Sequence, residues 1–234
     1  MPVRVLAFDT STQVGSVSII ERDALVAEYT LNLGSTHSER LMPMVDRLLE
    51  DAGFALSGFD GLAVAVGPGS FTGLRIGIST AKGLALSAGL PIAPVPTLDA
   101  LAATLPFASF PVCPILDAKK DEVYTSLYAW SGDGLERRWE YLAISPEELV
   151  ERLEADVIFV GDALQSLRQL LSERLGDRAH FAPLTHRLPA AARVAELGMK
   201  LLAEGKGVAP DGLVPLYIRS SEAELRRRRA SVSH

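Results

Sequence analysis

A run of small and hydroxyl residues, Gly67-Pro-Gly-Ser-Phe-Thr-Gly73, joins the apolar stretch Leu62 to Val66 to a segment with helical character. Gly67 and Gly69 permit backbone angles that bring amides close to an anion, and the free N–H groups at the start of the following helix attract phosphate. Ser70 or Thr72 can instead cap that helix with a side-chain oxygen. Beyond the run, Gly73, Gly77, Ala81 and Ala85 recur every four residues, a shallow stripe on which another helix can pack closely. Phosphate binding and helix docking are both open, as is a plain turn that seats the helix on its own sheet. The run is not a Walker loop, because Lys82 lies two turns into the helix instead of following the last loop glycine.

Two aspartates close apolar strands in matching contexts. Val3-Arg-Val-Leu-Ala-Phe-Asp9 leads through Thr10 to Gly15 into Ser16-Val-Ser-Ile-Ile20, and Pro111-Val-Cys-Pro-Ile-Leu-Asp117 leads through Ala-Lys-Lys-Asp-Glu into Val123 to Trp130. Strand, aspartate, turn and strand thus occur twice, which predicts a structural duplication with Asp9 and Asp117 in corresponding places. Elsewhere reactive chemistry is sparse. Cys113 lies in an apolar run as a structural thiol, and no serine, histidine and acid set emerges from spacing. Asp121 with Glu122, and Glu147 with Glu148, sit where a turn and a helix start explain them. His37, beside Ser38 and Glu39, reads as a helix-start residue.

Positioning these groups takes a sizeable core. With 48% apolar residues in 234, the chain can form one large domain or two lobes without disulfides, and its single cysteine fits a reducing cytosol. A net charge of −6 argues against a generally basic nucleic-acid surface. No signal-like start or membrane-spanning run is read from the sequence, so a soluble cytoplasmic protein is expected. Leu25 to Asn32 adds a third strand, and Ser35 or Thr36 begins a helix to about Ala52 with Leu41, Val45, Leu48 and Leu49 on its apolar face. Thr97 caps a helix through Leu105. Later, Ser145 or Pro146 opens another, Val157 to Val160 forms a strand ending at Gly161-Asp162, and helices follow near 164–174 and 189–204. The expected organisation is α/β, with lobes at 1–105 and 106–234, the last segment packing back or frayed.

Two duplicated lobes that each open on a strand, an aspartate and a hairpin resemble the actin, sugar-kinase and heat-shock-ATPase superfamily, which binds nucleotide between its lobes. Within it, Phe8-Asp-Thr-Ser-Thr12, Gly67-Pro-Gly-Ser-Phe-Thr-Gly-Leu-Arg-Ile-Gly77, Ala81-Lys-Gly-Leu-Ala85 and Asp117-Ala-Lys-Lys-Asp-Glu-Val-Tyr124 together resemble the TsaB family, also called YeaZ. The likeness is strongest over residues 1–125. It implies a non-catalytic partner of TsaD in making threonylcarbamoyladenosine at the tRNA adenosine beside the anticodon. TsaC would supply threonylcarbamoyl-adenylate and the ATPase TsaE would join the complex.

TsaD-like proteins carry two metal-binding histidines one helical turn apart. The matching positions here are Thr97 and Leu101, neither of which can replace an imidazole, so the resemblance implies no metal site. The superfamily's first phosphate loop has Asp-x-Gly where this chain has Asp9-Thr-Ser. Thr10, Ser11 and Thr12 could donate to phosphate or close the hairpin, and the second is favoured. The loop after Asp117 lacks glycines, and Gly161 stands alone where the superfamily often has a pair. Asp9, Thr10, Ser11 and Asp117 are therefore candidates for a vestigial nucleotide loop, with binding weak or shared with TsaD and no cofactor required.

For docking, the helices at 36–52 and 72–88 are the expected surface, through Leu41, Met42, Met44, Val45, Gly73, Gly77, Ala81 and Ala85. The same patch predicts a homodimer in the absence of TsaD. Arg226 to Arg229 form a dense basic run that could reach tRNA phosphates, with a solvated terminus as the simpler reading, and Tyr217 and Arg219 could anchor the segment. Two rival functions remain: an ATP-dependent small-molecule kinase using Asp9 and Asp117, and a free-standing RNA-binding protein.

Overall fold

A computed structural model describes residues 4–32, 37–132 and 134–218. The first sheet is built from a hairpin, β1 (Arg4–Asp9) and β2 (Gly15–Glu21), extended by β3 (Ala24–Leu31) and by β4 (Gly61–Gly67) and β5 (Ile92–Pro96). Its order is β3-β2-β1-β4-β5, with β1, β4 and β5 parallel. Parallel strands need crossovers. The link from β3 to β4 contains α1 (His37–Ala52), and β4 reaches β5 through α2 (Phe71–Ala88). Because β4 is covered on both faces it reads as an unbroken apolar run.

The two faces of this sheet are covered differently. Phe8, Val17, Leu62 and Val64 pack under α1 and α2 with Leu41, Val45, Leu48 and Leu74. Val5, Ala7, Ala63, Ala65, Ala93 and Val95 form the other face, which meets Val194 and Ala195 of α6 (Ala191–Ala203). Small side chains let that helix lie low: a Cβ built on Gly198 would come within 2.3 Å of Ala63 Cβ. The segment after residue 190, expected with the second lobe or packing back from it, thus completes the first. Val208 then pairs with Ile92, Leu213 enters the α2 core, and the Leu216 amide donates to Val66 O.

The second sheet takes β6 (Val112–Lys119), β7 (Glu122–Thr125), β8 (Tyr128–Ser131), β9 (Gly134–Arg137), β10 (Leu142–Ile144), β11 (Val157–Val160) and β12 (Ala179–Phe181). Its main path is β10-β7-β6-β11-β12, with β8 paired to β6 and β9. The expected single strand from Val123 to Trp130 is broken at Ser126-Leu127. There Ser126 Oγ donates to Trp139 O, Arg138 N donates to Leu127 O, and the chain changes partner from β10 to β9. Two helices, α4 (Pro146–Glu151) and α5 (Leu164–Leu175), pack with this sheet around Leu149, Phe159, Leu164 and Leu171.

A short helix, α3 (Thr97–Ala102), follows β5 directly and packs Leu98 and Leu101 against Val112, Leu116 and Val160 of the second lobe. It ends three residues before the expected Leu105, with Thr104 Oγ1 donating to Leu101 O. Among the described residues, no helix is long and apolar enough to cross a membrane.

Candidate functional site

Between the lobes lies a cleft of about 640 Å³, walled by Ser11 to Gln13 of the first hairpin, Gly69 to Gly73 at the start of α2, and Asp117, Lys119 and Asp162 of the second lobe. Both aspartate-bearing strands end beside it, but their aspartates differ sharply. Asp9 is fully buried behind the wall. Its Oδ1 accepts from Ser11 N at 2.8 Å and Ser11 Oγ at 2.6 Å, while Oδ2 is buried without a hydrogen-bond partner among the described residues. Burial pushes its carboxyl up to about 6, against the lowering effect of the Ser11 bonds and of nearby His37. Asp117 stands half-exposed and paired with Lys119 Nζ at 2.5 Å. Partial burial would raise its pKa, but the Lys119 ammonium and amide prevail and hold it below the ordinary carboxylate value.

Of the four candidate loop residues, only Ser11 and Asp117 line the cleft. Thr10 is fully buried, and its hydroxyl donates to Gly73 O at 2.8 Å. The glycine run serves that contact. A Cβ on Gly73 would lie 2.0 Å from Thr10 O, and one on Gly77 would lie 2.3 Å from Thr10 Oγ1. Ser70 N donates to Ser11 O at 2.6 Å, and Ser70 Oγ caps the helix by accepting from Gly73 N at 3.2 Å. Thr72 is exposed and the cap is Ser70. This run binds its own first hairpin, so at least one of its amides is already committed.

In the second lobe the turn is made without glycine: Lys119, Lys120 and Asp121 all take left-handed angles near +60°. Asp117 Oδ1 steadies it by accepting from Lys119 N at 2.7 Å. Gly161 has φ +127°, and a Cβ there would strike Ile115 O at 2.0 Å, so only glycine lets Asp162 turn back to accept from Asp117 N at 3.1 Å. Burial raises the pKa of Asp162. His37 Nε2 lies 2.7 Å from Thr12 O; a carbonyl can only accept, so Nε2 carries the proton. His37 joins the helix start to the first hairpin.

The position expected to have lost a metal lies in packed core. Thr97 and Leu101 are both fully buried, and Thr97 Oγ1 has no hydrogen-bond partner among the described residues. No group of three or more potential ligands from His, Cys, Asp and Glu occurs among the described residues. Burial drives the Cys113 thiol up to about 12, as expected for an inert structural residue.

The docking stripe needs correction. Leu41, Met44 and Val45 of α1, and Gly73, Gly77, Ala81 and Ala85 of α2, are buried against their own chain; Met42 alone of the eight is exposed, at 38%. A spacing of four fixes a helical face but not which side it turns to, and here it faces the sheet and Thr10. The opposite face of α2 presents Thr72, Ile76, Ser79, Gly83 and Leu86, alternating by four and three residues, with Leu86 78% exposed. Among the described residues, a Cβ on Gly83 would meet nothing within 4 Å. Near the start of α2, Tyr217 stacks on Phe71 with centroids 5.4 Å apart, and Arg75 Cζ lies 3.9 Å above the same ring. Tyr217 is thus an anchor, while Arg219 and Arg226 to Arg229 lie outside the described residues. The stack joins positions 142 residues or more apart, and no local pattern announces it.

The two lobes, their paired aspartate hairpins and the intervening cleft are of the actin-like, sugar-kinase and heat-shock-ATPase class. Component A of (R)-2-hydroxyglutaryl-CoA dehydratase from Acidaminococcus fermentans shares this fold at 12% identity, with a TM-score of 0.52 over 86% of this chain and 99% of that one. Residues 31–227 match the family model of TsaD, described as tRNA N6-adenosine threonylcarbamoyltransferase. The tRNA threonylcarbamoyladenosine biosynthesis protein TsaB of Bacillus subtilis is 34% identical over 223 residues, covering 94% of this chain and 96% of that protein. Its Escherichia coli namesake is 34% identical over 230 residues, with the same coverages of 94% and 96%. YeaZ from Pseudomonas aeruginosa superposes with a TM-score of 0.77 at 31% identity, over 92% of this chain and 99% of that one. The chain belongs to the TsaB family.

Proposed function

We propose that this chain acts in threonylcarbamoyladenosine biosynthesis as a non-catalytic scaffold that pairs with TsaD through the outer face of α1 and α2. Family membership supports the pathway. Gly83 carries the docking surface. A glycine inside an exposed helix forfeits roughly 0.5–1 kcal/mol relative to alanine. Gly73 and Gly77 answer that loss by admitting Thr10, whereas among the described residues nothing lies within 4 Å of a Cβ built on Gly83. Flanked by Ile76, Ser79 and Leu86, it offers a groove in which the backbone of a second helix can lie close. A partner helix explains both the missing side chain and the exposed Leu86.

Within this reading TsaE and tRNA meet the chain through the complex, and without TsaD the same seam drives homodimerisation. The chain needs no cofactor of its own. Nucleotide at the cleft is weakly held or shared with TsaD, because Asp9, Thr10, Ser11 and Lys119 already bond within the chain. The rival kinase reading requires Asp9 to reach a bound cation or phosphate, yet Asp9 is buried behind the wall.

The test is threonylcarbamoyl transfer to tRNA by TsaC, TsaD and TsaE with no added chain, the wild-type chain, or Gly83→Arg. Transfer should require the wild-type chain and fall at least tenfold with Gly83→Arg, whose circular dichroism and melting temperature stay near wild type. Full transfer without the chain overturns the proposal and restores the kinase reading.

A further inference from the structure

We propose that Asp99 forms a lock that holds the two lobes at one fixed separation, so that the cleft between them does not open and close on a ligand. Asp99 sits on α3, at the end of the first sheet. Two phenols from the second lobe converge on its single oxygen Oδ1: Tyr128 Oη donates at 2.6 Å from β8, and Tyr141 Oη at 2.8 Å from just before β10. Tyr128 is buried and both bonds are partly shielded from water, so solvent competes poorly with them.

The apolar contacts here could not do this alone. Leu98 and Leu101 against Val112, Leu116 and Val160 give a non-directional interface along which lobes can shear. Two hydrogen bonds from different segments to one oxygen fix direction as well as distance. Neighbouring bonds reinforce the joint at both places where the chain crosses between the lobes. Trp130 Nε1 donates to Leu105 O at 2.8 Å, and Thr104 Oγ1 shares its single proton between Leu101 O at 2.7 Å and His186 O at 3.2 Å. The inference does not depend on the docking seam, which lies on other elements.

Spin labels on Ser87→Cys of α2 and Ser172→Cys of α5, both exposed positions, in a full chain diluted into excess unlabelled chain, would report the distance between lobes within one protomer. Cys113 can stay, since it is buried and unreactive. The wild-type distance distribution should be single, narrow and unchanged by magnesium and ATP. Asp99→Leu should at least double its width, with helical circular dichroism retained. Tyr141→Phe, which keeps one of the two bonds, should give an intermediate width, and Asp99→Asn, which keeps an acceptor oxygen, should stay near wild type. If Asp99→Leu fails to fold, the other two variants decide. Equal widths in every folded variant, or a wild-type distribution that shifts with ATP, overturns the lock.

Discussion

Asp9 shows how far a residue can depart from the role its surroundings suggest. Its place at the end of β1 was plain in the sequence, as was the alternative that Thr10 and Ser11 merely close the hairpin. What could not be read was depth, because burial of the carboxyl depends on the tertiary packing around the end of β1. The consequence is measurable. A carboxyl at about 6 in the folded state, against 3.8 when unfolded, favours folding fully below pH 4 and loses that contribution as pH rises through 6. The difference is worth about 3 kcal/mol at 1.36 kcal/mol per unit. Asp9→Asn should remove it. Urea unfolding at pH 4 and pH 7.5 should show the variant gaining about that much on wild type at the higher pH; an offset independent of pH would contradict the burial argument.

Among the elements, β1, β4, α1 and α2 were legible because their apolar runs and periodicities are strong, and Gly53 and Gly89 end the two helices. The orientation of the α2 stripe was not, since two faces of that helix carry small residues. Glycine substitutions separate the faces. Gly77→Ala drives a methyl to 2.3 Å from Thr10 Oγ1, which breaks or displaces the Thr10 to Gly73 bond. It should destabilise the protein by about 1–3 kcal/mol, the usual range for overpacking. Gly83→Ala points into open space and should stabilise by about 0.5–1 kcal/mol. Thermal melts of the two variants should move in opposite directions. A Gly77→Arg variant would accordingly test folding before it tested docking.

For the whole molecule, duplication of the aspartate hairpins announced two lobes, yet the sequence was silent on how they are joined. Asp99, Tyr128 and Tyr141 are separated by 29 and 42 positions, and each alone reads as an ordinary helix or strand residue. Burial first, and then the Asp99 carboxylate, raise both phenols beyond their usual range. Each therefore contributes stability that is whole below pH 10 and is lost as pH rises toward the folded value. In an alkaline titration followed at 295 nm, these two phenols should ionise together with loss of helical circular dichroism. Replacing both by Phe should remove that portion of the absorbance change; its persistence would mean they are not the shielded pair.

The return of α6 to the alanine face has a bearing on how the protein is made. Residues 112–181 form an insertion within the first lobe, whose sheet is complete by Pro96 but whose covering helix begins only at Ala191. During vectorial synthesis, Val5, Ala7, Ala63 and Ala93 have no lid until the chain has been made through Ala203. The half that begins folding first is the last to be finished, and a ribosome that stalls before α6 leaves an open apolar sheet for chaperones and proteases to find.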